Sequence, residues 1–141
     1  VPKCFFTPEI IKKRRPLPEK DRRAGWEGCN ILMKKIPNIA KIPVIKDGVP
    51  LPVKYVIEMY NKVYSLQTKS ISSRGWLVDT LRLVERLDTD FTLNEMYKFV
   101  PELQIKYPEN NHIHDKIRQQ LQFLRDKGLI EFVSRGRYRR L

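Results

Sequence analysis

The spacing of apolar residues changes character near residue 70. Over residues 74–87, Leu77, Leu81, Val84 and Leu87 recur every three or four positions, which predicts one face of a helix. Thr92-Leu93-Asn94-Glu95 fits a capping box, in which a threonine hydroxyl and a glutamate carboxylate reciprocally satisfy free amides. It predicts the start of a second helix with Met96, Val100 and Leu103 inward. Pro108 and Asn110-Asn111 break the chain, and either asparagine can cap a third helix whose inward residues are Ile113, Ile117, Leu121 and Leu124. Gly128 stops that helix. Residues 129–133 and 137–141 then read as two strands around Ser134-Arg135-Gly136. Three helices followed by a basic hairpin is the layout of a winged helix-turn-helix.

Residues 1–66 are more broken. VPKCFF reads like the inside of a strand, so the chain is expected to be a fragment or a truncated reading frame. Thr7, Pro8 and Glu9 resemble a helix start, with Thr7 as N-cap, Pro8 at the first helical position and Ile10 and Ile11 as the apolar side. Pro16 and Pro18 end it quickly, and KKRRPLPEKDRR (12–23) is too charged to bury and reads as an exposed loop. Two strand-like runs follow, over residues 29–33 and 39–45, with a turn at Asp47-Gly48. From 53 to 64 the apolar residues Val53, Val56, Ile57, Tyr60, Val63 and Tyr64 repeat with helical period, so one helix closes this half. The polar, serine-rich stretch 67–73 is a hinge candidate, dividing the chain into units of residues 1–68 and 69–141.

Composition narrows the class of function. At 141 residues the chain allows one ordinary domain or two small ones. A hydrophobic fraction of 41% is enough for a core. The charge of +12 favours a polyanionic partner. Residues 1–68 hold 14 basic and 6 acidic side chains and residues 69–141 hold 14 and 10, so the anion-binding surface extends beyond the C-terminal unit. No apolar run is long enough to span a membrane and no signal-peptide pattern occurs, which places the chain in the cytoplasm. Cys4 and Cys29, 25 residues apart and without a CxxC spacing, are expected to be reduced, partly buried thiols.

The outward set on the third helix is His112, His114, Asp115, Arg118, Gln119 and Gln122. The first turns of a recognition helix reach base edges. There Asn and Gln suit adenine N6/N7, and Arg or Lys suits guanine O6/N7. Asn110, Asn111, Lys116, Arg118 and Gln119 are therefore candidates for reading a site containing A and G, against the plainer alternative of a solvated helix face. His112 and His114, two apart, do not share a face, so contact or capping suits them better than metal binding. Arg135, Arg137, Arg139 and Arg140 have no acid among residues 134–141, which favours phosphate contact over a frayed basic tail. Alternation puts Arg137 and Arg139 on one face of the hairpin and Tyr138, packed, on the other. Trp26 lies between two glycines and beside Arg22 and Arg23, and on sequence grounds a core indole and a ligand contact are equally open. Trp76 reads as core. No nuclease metal motif, phosphate-cradling glycine loop or Ser/His/Asp arrangement is visible.

Several runs carry a resemblance: RRAGWEGCNI (22–31), SISSRGW (70–76), FTLNEMYKF (91–99), NNHIHDKIRQQLQFLRDKGLIEF (110–132) and RGRYRRL (135–141). They closely resemble the C-terminal portion of the Dam-replacing family of methyl-directed type II restriction endonucleases, weakest over 34–66. The resemblance implies a PD-(D/E)xK nuclease domain with a structural Zn²⁺ site and Mg²⁺, followed by a winged helix. It also implies that both parts contact GATC carrying N6-methyladenine. The family's catalytic carboxylates, lysine and zinc cysteines lie upstream of the region matching Val1, so no cofactor and no cleavage are expected of this chain alone. Residues 1–68 correspond to the end of the nuclease domain, and Trp26 to the aromatic that approaches the adenine methyl groups.

The expected fold is thus mainly α within an α+β class: a winged helix-turn-helix preceded by the trailing strands and helix of an incomplete nuclease domain. The expected partner is double-stranded DNA, bound by a monomer through Arg22, Arg23, Trp26, Ser73, Arg74, Asn110, Asn111, His112, His114, Lys116, Arg118, Gln119, Arg135, Arg137 and Arg139. N6-methylation projects a methyl group into the major groove and removes a donor hydrogen. An apolar wall gains roughly 0.8 kcal/mol from a methyl-sized group, while a bidentate Asn contact can lose a bond. Methyl preference should be a modest sum over contacts. A transcription regulator would explain residues 69–141 but leave the Trp26 loop without a role, and an intact nuclease would require a cleavage centre that the sequence does not display.

Overall fold

A computed structural model describes residues 1–67 and 70–141, and the side chain of Ile71 is outside that description. The C-terminal unit is built on helix α2 (Ile71–Glu85), which Ser70 caps by accepting from Ser73 N at 3.0 Å. The helix therefore starts three residues earlier than its apolar spacing suggests, because Ser70 is its N-cap and Ser72 and Ser73 lie in its first turn. Thr68 and Lys69, in the middle of the expected hinge, lie outside the described residues. Trp76, Leu77, Val78, Leu81, Leu83 and Val84 are buried, so α2 has hardly a solvent face along its middle.

A strand that the sequence reading missed comes next: β5 (Asp90–Thr92), three residues long, with Phe91 buried. The capping box is present, with Thr92 N donating to Glu95 Oε2 at 2.7 Å and Glu95 N donating to Thr92 Oγ1 at 3.2 Å. The single second helix expected there is two, α3 (Leu93–Tyr97) and α4 (Val100–Lys106). Pro101 has no N–H, and its ring would clash with the Tyr97 carbonyl of a continuous helix. Met96 and Leu103 are buried as expected, whereas Val100 is half-buried.

Helix α5 (Ile113–Asp126) buries Ile113, Ile117, Leu121 and Leu124. Neither asparagine is its N-cap. His112 holds that position without a side-chain bond, and Asn110 Oδ1 instead accepts from His112 N at 2.8 Å, closing the turn before the helix. Gly128, at φ 68°, ends it with the left-handed residue that helix C-termini favour. The hairpin β6 (Ile130–Ser134) and β7 (Arg137–Arg140) forms as expected, and β5 adds to its other side in the order β5–β7–β6, all antiparallel. Tyr138 packs on Phe91 and Phe132, with ring centroids 5.6 and 6.0 Å apart.

The N-terminal half departs further from expectation. VPKCFF is a 3-10 turn (Lys3–Phe5), not strand, and it drives Cys4 and Phe5 into the core. The Thr7 start yields one 3-10 turn (Pro8–Ile10) without a Thr7 side-chain cap. The basic loop begins only after strand β1 (Ile11–Lys13), which pairs with β2 (Cys29–Ile31), so the strand expected over 29–33 is shorter and ends in a 3-10 turn (Met33–Lys35). The strand expected over 39–45 is replaced up to residue 44 by a 3-10 turn (Asn38–Ala40) and coil, since Pro43 denies the middle of that segment a ladder donor. Only the two-residue strands β3 (Ile45–Lys46) and β4 (Val49–Pro50) pair, across the expected turn at Asp47-Gly48. Helix α1 (Val53–Tyr64) forms where periodicity placed it. Its apolar stripe is largely in solvent, however: Val53, Ile57, Tyr60 and Tyr64 are exposed and only Val63 is fully buried. Cys29 is exposed and Cys4 buried, both as free thiols.

Buried residues from both halves form one cluster, Cys4, Phe5, Ile10, Ile36 and Val63 joining the α2 and α5 side chains. Among the described residues no helix is long and apolar enough to cross a membrane.

The Thr92 hydroxyl and amide hold the Glu95 carboxyl below its ordinary range. Thr92→Ala should cost about 1 kcal/mol in urea unfolding at neutral pH. A depressed folded pKa means that this stabilisation is present above the unfolded pKa and lost as pH falls through the folded one. The difference between wild type and variant should narrow in acid without vanishing, because the bond from Glu95 N to Thr92 Oγ1 does not titrate; equal stability at neutral pH would contradict the capping role.

Candidate nucleic-acid interface

The burial of four apolar residues on α5 turns the opposite face outward. Asn111, His112, His114, Asp115, Arg118, Gln119 and Gln122 are exposed, and Lys116 is half-buried. That face is ordered by its own pairs. Asp115 binds Arg118 and lies 3.8 Å from His112 Nδ1, while Lys116 Nζ donates to Gln119 Oε1 at 2.7 Å. The Asp115 carboxylate, followed by the neighbouring Tyr97, raises the Arg118 pKa and fixes its positive charge. His114 meets the Tyr97 ring edge-on at 4.6 Å, a packing contact and not a metal site. Exposed pairs of this kind are weak, so phosphate or base edges can replace them.

Helix α2 links this face to the N-terminal half. On one side Ser72 and Trp76 share a cleft with Asn110, Asn111 and His112. On the other, Arg74 lines a cleft with Gly28, Cys29 and Lys13. The Trp26 loop and the start of α5 therefore flank the first turns of α2. Ser73 is half-buried, its hydroxyl bonded to Ser70 at 2.7 Å, so it serves the helix cap. Arg22 and Arg23 stand exposed in the loop before Trp26, whose N–H donates to Arg23 O at 3.0 Å.

Trp26 is 44% exposed, which removes the core alternative. The outer edge of its indole lies against Gly28: a Cβ there would come within 2.2 Å of the ring. The guanidinium of Arg14 sits 5.8 Å from the ring centroid. Arg14 was not among the residues picked out by sequence. It reaches Trp26 because Arg14 N donates to Gly28 O at 2.8 Å, continuing the β1–β2 pairing, and no sequence spacing signals that pairing. Trp76 is core, as expected, stacked on Tyr107 at 4.0 Å.

The wing divides its arginines. Arg135 and Arg137 are exposed at and beside the turn, which Leu93 N ties to α3 by donating to Gly136 O at 2.9 Å. Arg139 lies on the Arg137 face as alternation requires, but it bridges Asp90 at 2.7 Å and Glu131 at 3.2 Å, and Asp90 raises its pKa. The absence of acids from residues 134–141 missed these partners, which come from neighbouring strands. Arg140 turns inward to Val84 O at 3.2 Å.

Among the described residues no group of three His, Cys, Asp or Glu side chains could hold a metal ion. These residues thus offer no donor set for the structural zinc that the resemblance implies.

An exposed helix face backed by α2–α4, with a basic three-stranded wing beside it, defines a winged helix-turn-helix DNA-binding module. Comparison with known families agrees with this class. The Dam-replacing HTH domain matches residues 72–140, and the Dam-replacing family matches residues 1–69. The chain belongs to the Dam-replacing family, and with it to DNA binding and restriction in general terms.

If Arg135 and Arg137 neutralise phosphates, Arg135→Ala and Arg137→Ala should each flatten the log Kd against log salt plot by about 0.9. Arg139→Ala should change it little, its charge being already shared by two carboxylates. An Arg139 effect as large as the others would refute this division.

Proposed function

We propose that the chain is the DNA-reading C-terminal part of a methyl-directed restriction endonuclease, binding duplex GATC that carries N6-methyladenine. On this reading residues 1–68 are the end of a nuclease domain and residues 69–141 the winged helix, acting as a monomer on DNA in the cytoplasm. Helix α5 enters the major groove, where Asn111 and Gln119 suit adenine N6/N7 and Lys116 and Arg118 suit guanine O6/N7. Asn110, bonded to His112 N, shapes the approach, while His112 and His114 lie at the rim. Arg135 and Arg137 hold the sugar-phosphate rail, and Arg22, Arg23 and Arg74 extend the cationic surface toward Trp26.

The observation that carries the proposal is the exposed Trp26 indole, held against Gly28 with Arg14 beside it, in a loop whose Gly28 and Cys29 share a cleft with Arg74 of α2. A large exposed aromatic in a cationic loop offers the apolar wall that a methylated adenine edge would meet. A regulator of transcription leaves this loop without a task.

The test is a gel-shift titration with fully methylated, unmethylated and shuffled duplexes. The methylated duplex should bind most tightly. Trp26→Ala should reduce the methyl preference by roughly fourfold per methyl group contacted, the equivalent of about 0.8 kcal/mol. Asn111→Ala or Gln119→Ala should reduce discrimination between GATC and shuffled duplex by about 1–3 kcal/mol. Equal affinity for all three duplexes at several salt concentrations would reject the assignment.

A further inference from the structure

Asp79, in the middle of α2, is the one charged side chain buried among the described residues, at 6% exposure. A buried carboxylate is tolerated only when paired. Tyr107 OH donates to Asp79 Oδ2 at 2.6 Å, and Lys106 Nζ donates to Oδ1 at 2.6 Å. Lys106 also bridges Glu9 in the N-terminal half. Burial and the Asp79 carboxylate push the Tyr107 phenol far above its ordinary value, so it remains a donor throughout the working range of pH.

Tyr107 is the residue on which the turn into α5 is built. Its ring is stacked on Trp76, and a Cβ on Gly75 would lie 3.3 Å from the phenol oxygen, which leaves the hydroxyl little room to move. Its carbonyl accepts from Asn110 N at 3.0 Å, and Asn110 Oδ1 in turn accepts from His112 N. Gln104 Nε2 adds bonds to Pro108 O and Asn110 O, both at 3.3 Å. A continuous set of bonds and stacked rings thus runs from Asp79 to the first residues of the reading helix.

We propose that Asp79 is a positioning residue for DNA selectivity: by clamping Tyr107 and Lys106 it sets where the 107–112 turn delivers Asn111 and the first turn of α5. The inference rests on the reading of α5 as the groove-entering helix. An apolar side chain at position 79 could fill the same space and often serves stability as well as a buried ion pair does. What the carboxylate adds is direction, since two short bonds to adjacent residues fix the rotation of the end of α4 as packing alone would not. Through Glu9, the same clamp ties the turn to the half that bears Trp26.

The test uses Tyr107→Phe, which keeps the ring stack and removes the hydroxyl, together with Asp79→Leu and Asp79→Asn. Affinities for methylated GATC duplex and for a shuffled duplex of equal length are measured by fluorescence anisotropy on the full chain, at temperatures where circular dichroism shows it folded. Tyr107→Phe and Asp79→Leu should lower the ratio of the two affinities roughly tenfold, about one base contact, with shuffled-duplex binding within about twofold of wild type because phosphate contact dominates it. Asp79→Asn, whose amide oxygen can still accept from Tyr107 while its NH2 loses the Lys106 bond, should fall between Asp79→Leu and wild type. The chain has two histidines, both at the start of α5, so their imidazole proton resonances in the DNA-free protein should shift in Tyr107→Phe. Should Asp79→Leu not fold, Tyr107→Phe and the histidine spectrum decide. A discriminating wild type with an equally discriminating Tyr107→Phe overturns the positioning role alone. Unchanged histidine resonances, or an equal loss on both duplexes, also overturn it. A wild type that does not discriminate overturns the reading of α5 itself.

Discussion

The burial of a single stripe on α5 determines the rest of this structure. Ile113, Ile117, Leu121 and Leu124 are all but inaccessible, and each contributes roughly 1.5–3 kcal/mol relative to exposure. Successive residues of a helix project about 100° apart, so rotation by one position would bury Arg118 or Gln122 and expose the stripe. The helix has no freedom to turn its polar face away from solvent. The polar surface that α5 presents is therefore a consequence of core packing. Helix α2 provides the other side of that contact and is buried along its middle for the same reason.

Electrostatics refines what packing sets up. A basic chain invites every arginine to be counted as a DNA contact, yet the structure separates them by their partners. Arg139 spans Asp90 and Glu131 and cross-links the three strands of the wing, and Arg140 closes on Val84 O. Arg135 and Arg137, next to the turn, remain for an external anion. On α5 the pairing with Asp115 holds Arg118 extended along the helix surface. Being exposed, that pair can be exchanged for a nucleic-acid acceptor at small cost.

The legible features were those determined by local spacing. The stripes of α2 and α5, the Thr92–Glu95 capping box, the stop at Gly128 and the alternation of Arg137, Tyr138 and Arg139 all depend on residues within a few positions of one another. Features that depend on distant partners were not legible. Strand β5 is three residues long and exists because β7 pairs with it; no periodicity is detectable over so short a run. The same holds for the acids that meet Arg139 and for Arg14 beside Trp26. The proline-rich segment failed in another way: Ile39, Ile42 and Val44 have strand-like composition, but Pro43 removes a donor that a ladder needs, and only Ile45 at its end is in a strand. Asp79 gave no signal either, since one carboxylate in an otherwise ordinary helix reads as a solvated position.

Helix α1 shows the limit of periodicity from the opposite direction. Its stripe predicts the helix correctly, but Val53, Ile57, Tyr60 and Tyr64 stay in solvent. Amphipathic spacing specifies that a face is to be covered and does not name the cover. In the same half, Cys4, Phe5, Ile10 and Ile36 are buried in the common cluster together with Val63 of α1, so the half is anchored to the winged helix without the exposed stripe of α1. That anchoring has a consequence for recognition. The first turns of α2 border the Trp26 loop on one side and the approach to α5 on the other. On the proposed reading, two elements that border one helix would meet a duplex as a unit, and the second contact would then form without the search that a flexible linker imposes.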